Sequence, residues 1–523
     1  MAQDEIWILI GLFLVSIPLV VLGRRVDLPY PIPLVLGGLV LGFIPGLPRV
    51  RLEPDLVLVI FLPPLLYWEA VTAPTDAMRA NAARIWAPAI GLVLVTTFAV
   101  AAIAHASIPE LGWPMATVLG AIVAPTDELA SVPVLERMRI PRHVIAIIEG
   151  ESLLNDASAL ILFVAALAAV TTGSFDLQRS VGRSVIAGLG GVALGLALGR
   201  VAVEAWRRIQ DTDLQGAISF TLPFLVYVSA LKLGLSGVLA VVFTGITVNR
   251  WTPLVLTPAS RLQLSGYWDT AVFLANALLF VLVGLQLHEL ARTVLSTYSC
   301  QELAWYALLV NATVFATRFA WTFAQSYAPW IGGAAEHEAP DWKHALIAAW
   351  SGLRGAVSLA AALAIPVTLA SGAALPHRDL VIFLTLSVVL VTLIGGGLTL
   401  PLLLRWLALP DGGDEDEREL RHALVAMSAA ALERLGELAA QGNVAADHES
   451  ALRRRYELLL DRLDREDASG DGPRLEREAE RELLAAERAA LIRARELGEI
   501  DNTVLRRLLR ALDLQAERLS RPQ

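Results

Sequence analysis

A chain of 523 residues that is 55% hydrophobic and only 18% charged, with a mean hydropathy of +0.58, departs from the roughly 45–50% apolar, about 25% charged makeup of soluble domains. A single cysteine, Cys300, excludes an internal disulfide framework, and a net charge of −9 gives no footing for nucleic acid. The apolar excess lies before residue 410 and the remainder is dense in Arg and Glu, so composition divides the chain into a transmembrane domain, 1–410, and a cytosolic helical C-terminal domain, 411–523.

A bilayer core about 30 Å thick is crossed by roughly 20 apolar helical residues. In chain order, such runs fall near 6–22, 30–47, 54–69, 84–105, 113–133, 142–170, 181–203, 214–231, 233–249, 268–290, 302–325, 343–370 and 378–407, thirteen predicted spans. The first has an acidic leader, Asp4 and Glu5, and is followed by Arg24 and Arg25 without a small-residue cleavage site, so it reads as a retained helix. With the N-terminus outside, inner loops hold thirteen Lys and Arg against seven in outer loops. This asymmetry predicts a multi-pass protein of the cell (inner) membrane with a cytoplasmic tail. In the tail, Asp-Gly-Gly-Asp-Glu-Asp-Glu-Arg-Glu (411–419) reads as a linker, and helical periodicity follows over 419–440, 450–464, 474–496 and 503–519, with a turn at 467–473. Two readings stand for this tail, an assembly element or a regulatory one.

Charges inside hydrocarbon are costly and face a bundle interior or a watery cavity. The candidates are Glu69, Asp127, Glu128, Glu149, Glu151, Asp156, Arg318 and Arg354. The densest cluster is Glu149-Gly150-Glu151-Ser152-Leu153-Leu154-Asn155-Asp156 in span six. At helical spacing Ser152 and Asp156 share a face, as do Glu151 and Asn155. Carboxylate, hydroxyl and amide carbonyl are hard oxygen donors suited to a small hard cation. Span five places Pro125 before Thr126-Asp127 in mid-span, and Pro133 follows. Span twelve carries Ser351-Gly352-Leu353-Arg354-Gly355-Ala356-Val357-Ser358. Two interrupted segments, one in each half, predict broken crossing helices near 113–133 and 343–370 and point to an inverted-repeat transporter. The glycines from Gly188 to Gly199 read instead as close helix packing.

At these residues the chain resembles the bacterial monovalent cation:proton antiporters, in the electroneutral sodium/proton exchanger (NhaP-like) branch, long form. The resemblance runs through Phe61-Leu62-Pro63-Pro64-Leu65-Leu66, Ala124-Pro125-Thr126-Asp127, the Glu149–Asp156 string, Asn276-Ala277-Leu278-Leu279-Phe280 with Gly284-Leu285-Gln286-Leu287, and Gly352–Ser358. It implies an all-α membrane fold of about thirteen helices and a homodimer, without cofactor. It implies further that Asp156 is the exchange carboxylate, binding a cation or a proton, with Thr126, Ser152 and Asn155 completing the site. Asp127 would polarise the crossing or a water network, Glu151 would pair with Arg318 as a structural brace, and Arg354 would sit at the broken crossing of span twelve. The only metal implied is a monovalent cation held by Asp156, Ser152 and Thr126. Many members continue Thr-Asp with Pro, whereas this chain has Glu128. That carboxylate either caps a half-helix N-terminus or faces an inner vestibule.

Burial penalises a bare carboxylate, so proton and cation compete for Asp156, and competition with alternating access yields antiport. Asn155 beside Asp156 leaves one titratable group, and arginine keeps its proton. The expectation is one sodium or lithium ion exchanged for one proton across the lipid bilayer. Potassium is the alternative cargo on the same fold. An intramembrane aspartyl protease using Asp127 and Asp156 would need Tyr-Asp and Gly-x-Gly-Asp settings, and neither surrounds these residues. Two broken crossings argue against a channel. His143 and His288, at predicted span ends, read either as solvated loop residues or as pH sensors.

Overall fold

The computed structural model describes residues 3–25, 28–44, 54–128, 131–138, 140, 142–172, 177–331, 342–369, 373–407 and 413–465, with isolated positions beyond. Helices α1 (Gln3–Arg25), α2 (Pro31–Gly42) and α3 (Pro54–Thr72) lead into two short turns, α4 (Thr75–Ala80) and α5 (Ala82–Trp86). A π-helical turn, Ala87–Leu92, then joins α6 (Val93–Ser107). This wide turn holds Pro88, whose ring cannot donate to an ordinary helical ladder. The break follows as α7 (Trp113–Val123) and α8 (Val132–Arg137), and then come α9 (Arg142–Thr172), α10 (Leu177–Arg208), α11 (Thr212–Lys232), α12 (Gly237–Val255), α13 (Pro258–Leu295) and α14 (Cys300–Ile331). A second break separates α15 (Trp342–Trp350) from α16 (Ala356–Leu363). The apolar part closes with α17 (Arg378–Leu390), a π turn (Val391–Gly396) and α18 (Gly397–Leu407).

Eight helices among the described residues are long and apolar enough to cross a bilayer, and Pro31–Gly42, Leu56–Thr72 and Trp113–Val123 are shorter apolar helices. Helix length alone therefore does not fix the count at thirteen. The largest departures from the expected boundaries fall at two spans. The predicted span 343–370 stops being helical at Leu363. The predicted span 268–290 is the middle of a 38-residue helix, about 57 Å long.

Close approaches between backbones organise the packing. A Cβ on Gly191, Gly195 or Gly199 of α10 would strike Ser236, Ala240 or Thr247 of α12, so these glycines seat one helix directly on the other. Both numbers rise together along the contact, which makes α10 and α12 parallel. Thr244 ties the seam by donating to the Gly195 carbonyl at 3.0 Å. On α2, Gly38 and Gly42 lie against Gly284 and Leu285 of α13 in the same manner. Outside this core, Leu14, Ile186, Leu189, Leu225, Leu308 and Leu402 stand exposed, as apolar side chains facing lipid would.

Backbone contacts divide the chain into two units, Met1–Gly413 and Asp414–Gln523. The second unit contains α19 (Gly413–Ala440) and α20 (Ala446–Arg465), joined where Gly442 takes φ +71°. The acidic run at 411–419, expected to be a linker, is helical from Gly413. Acidic residues suit a helix N-terminus, where the dipole favours negative charge. The predicted helices 474–496 and 503–519 and the turn at 467–473 lie outside the described residues, a few isolated positions apart, as does the side chain of His143.

Candidate functional site

The two unwound segments meet inside the bundle. Helix α7 stops at Val123, with Ala124 as its last helical-geometry residue, because Pro125 offers no N–H to continue the ladder. Helix α15 stops at Trp350, ahead of Gly352 and Gly355. The freed stretches lie antiparallel, and the Asp127 N–H donates to the Leu353 carbonyl at 2.7 Å. Such backbone would be untenable facing lipid and is tolerated where protein surrounds it.

Each broken end meets a side chain of suitable charge. The Asp127 carboxylate accepts from the Ala356 N–H at 2.8 Å, at the start of α16. A Cβ on Gly355 would coincide with that carboxylate, so only glycine permits the approach. The Arg354 guanidinium donates to the Val123 carbonyl at 3.1 Å, at the end of α7, and to the Gly352 carbonyl. Its backbone N–H is held by the Thr392 hydroxyl. Arg318 donates to the Ala348 carbonyl at 2.9 Å, near the end of α15. A negative group thus faces a helix N-terminus and positive groups face two C-termini, as the macrodipole prefers. The α16 cap is Asp127, not Glu128. The Glu128 Oε2 is buried without a partner among the described residues.

Arg318 and Glu151 form an ion pair at the core of the bundle, with side chains 3% and 8% exposed. The pair joins α9 to α14, and Gly352 leaves room for it, because a Cβ there would stand 2.7 Å from the arginine Nε.

Beside the crossing, α9 presents Ser152, Asn155 and Asp156, all buried. Ser152 donates to the Thr126 carbonyl at 2.8 Å, and the Asn155 amide nitrogen donates to the Thr126 hydroxyl at 2.7 Å. With its nitrogen so engaged, Asn155 turns its carbonyl oxygen to the interior, where it has no partner among the described residues. Leaving such an acceptor unsatisfied costs about 1–3 kcal/mol, and a cation or a water would recover it. Asp156 is 3% exposed. Asp127 and Glu128 stand within electrostatic reach of it.

Glu69 of α3 also belongs to this region, facing Asp156 and Asp127 and standing beside the Ser152 hydroxyl. Its Oε1 is buried without a partner among the described residues. The sequence flagged it as a charge in a span but gave no contact to attach it to. Asn276 of α13 is 0% exposed with neither amide atom bonded among the described residues, and the sequence carried it only inside a motif. Glu69, Asp127, Glu128 and Asp156 make an acidic interior whose nearest arginines are engaged by Glu151 and by helix carbonyls. The arrangement suits a cation. His288, one of the two candidate sensors, packs its ring 4.2 Å from that of Phe43.

Residues 9–406 match the family model described as sodium/hydrogen exchanger, transmembrane. The chain is 36% identical over 519 residues to an uncharacterised Na(+)/H(+) exchanger of Mycobacterium tuberculosis, covering 96% of this chain and 94% of the relative. It is 33% identical over 386 residues to a sodium, potassium, lithium and rubidium/H(+) antiporter of Bacillus pumilus, covering 71% of this chain and 57% of that one. Among solved structures, the sodium proton antiporter MjNhaP1 of Methanocaldococcus jannaschii superposes with a TM-score of 0.62 at 18% identity, covering 76% of this chain and all of the other.

Proposed function

Because this chain belongs to the sodium/hydrogen exchanger family, we propose that it is an electroneutral antiporter exchanging one sodium or lithium ion for one proton, with Asp156 as the shared carboxylate. Family membership itself makes it a multi-pass membrane transporter of monovalent cations and protons, not an enzyme. The finer reading rests chiefly on one observation. Asp156 is buried on the same helix as Ser152 and Asn155, both of which are bonded to Thr126.

A bare carboxylate at that depth is costly, and either a proton or a cation neutralises it. Both cannot, so loading one releases the other. Thr126 fixes Ser152 and Asn155 by consuming their donors, which leaves oxygen lone pairs for the cation. Asp127 contributes through the α16 N-terminus, and its charge adds to the field that favours a cation. The Glu151–Arg318 pair is a brace that carries no proton. Asn155 in the position next to Asp156 keeps the count at one proton, and hence the exchange electroneutral. The same reading has thirteen crossings with inverted repeats, an outside N-terminus, a cytoplasmic tail from 411, the inner membrane as location and a homodimer as working state.

The test is sodium-driven proton movement in proteoliposomes, wild type beside Asp156→Asn. The variant is expected to lose exchange and keep its melting temperature. Wild-type flux is expected to be the same with and without an imposed membrane potential. Exchange persisting in Asp156→Asn would overturn the role of that residue, and potential-driven flux would overturn the stoichiometry. Potassium is the second reading of the cargo, favoured by the wide cation range in the name of the Bacillus pumilus relative. Running sodium, lithium and potassium in turn separates the two.

A further inference from the structure

At the end of the α10–α12 seam, remote in sequence from the crossing, two cations share one indole. The guanidinium carbons of Arg200 and Arg207 lie 5.4 Å and 5.1 Å from the centre of the Trp251 ring. The two arginines are seven positions apart, on one face of α10. Their neighbour Glu204 is committed elsewhere. It accepts from Arg208 at 2.8 and 2.9 Å and reaches Arg207 only at 3.8 Å. Arg200 has no carboxylate or carbonyl partner among the described residues. Stacking on indole attracts each cation but leaves their mutual repulsion in place.

Depth along the helix tells which anion fits. Arg200 lies eight residues before the last residue of α10, about 12 Å along the axis. Its apolar neighbours Leu196 and Val201 are 44% and 64% exposed, so the surface around it faces acyl chains. A guanidinium at that level reaches toward the headgroups along its own stem, and a tryptophan there is a typical interfacial anchor. The flat guanidinium fork matches a phosphate oxygen pair. A free phosphate ion would have to shed its water to reach this level, whereas a lipid phosphate already resides there.

We propose that Arg200, Arg207 and Trp251 form a binding site for the phosphodiester headgroup of an anionic phospholipid, in the leaflet at the arginine-rich end of α10 and α12. Arg250 and Arg208 add positive charge to the same end.

The experiment uses the full chain purified in detergent. Thermal unfolding and native mass spectra are recorded with phosphatidylglycerol, with phosphatidylcholine and with inorganic phosphate. Phosphatidylglycerol is expected to raise the wild-type melting temperature by several degrees and to persist as a bound adduct, with neither effect from the other two. Arg200→Gln/Arg207→Gln is expected to lose most of both responses, while Arg292→Gln, in the last turn of α13, keeps them. A conservative Arg200→Lys/Arg207→Lys variant, holding charge without the fork, is expected to fall between. Equal responses in the wild type and the glutamine pair would overturn the site. So would a wild type indifferent to phosphatidylglycerol. Equal stabilisation by inorganic phosphate would replace the lipid with a soluble anion and equally overturn the proposal.

Discussion

Glu151 and Arg318 are 167 positions apart in sequence and meet at the centre of the bundle. Neither can be solvated there, so each depends on the other. Replacing Glu151 with Gln, or Arg318 with Met, strands a buried charge and is expected to destabilise the chain by about 3–5 kcal/mol. The double replacement is expected to recover part of that loss, because it removes both charges. Melting of all three variants in detergent checks the cycle, and additive losses would contradict it. At this scale much of the site was readable in advance, since Ser152, Asn155 and Asp156 are neighbours on one helix. What the sequence could not supply was the partner of each group. That Asp127, and not Glu128, reaches the Ala356 N–H depends on the path of a segment more than two hundred residues away.

Among the elements, the breaks were legible because their causes are local. Pro125 stops α7, and the glycines after Trp350 stop α15. The antiparallel pairing of the two freed segments is a long-range contact that no periodicity encodes. The close-packed reading of Gly188 to Gly199 is met at Gly191, Gly195 and Gly199. Gly355→Ala drives a methyl into the Asp127 carboxylate and is expected to slow exchange by about tenfold, equivalent to the roughly 1–2 kcal/mol a charge contributes at a partly buried helix end. Gly188→Ala is the control, because a methyl there meets only the Leu239 side chain at 3.4 Å. It is expected to transport and melt as wild type. Flux in proteoliposomes measures both.

For the whole molecule, composition alone separated an apolar part from a charged tail, and the backbone contacts divide the chain at Gly413. Where the acidic run would be helical was not legible, because its charges resemble a linker as closely as a helix start. Since Met1–Gly413 is a compact unit by itself, removal of residues 414–523 is expected to leave a folded protein that still exchanges cations for protons. Size-exclusion profile and vesicle flux test this, and a truncated chain that aggregates would contradict it.

The hydrogen bond from Asp127 to Leu353 has a mechanical consequence. Pulling the two segments apart inside the bundle would orphan both of its backbone groups, at about 1–3 kcal/mol each. The junction is therefore expected to move as one piece. Entry from either side is then expected to come from the surrounding helices sliding along this junction, and a chemical tether between the two should arrest exchange without touching its cargo.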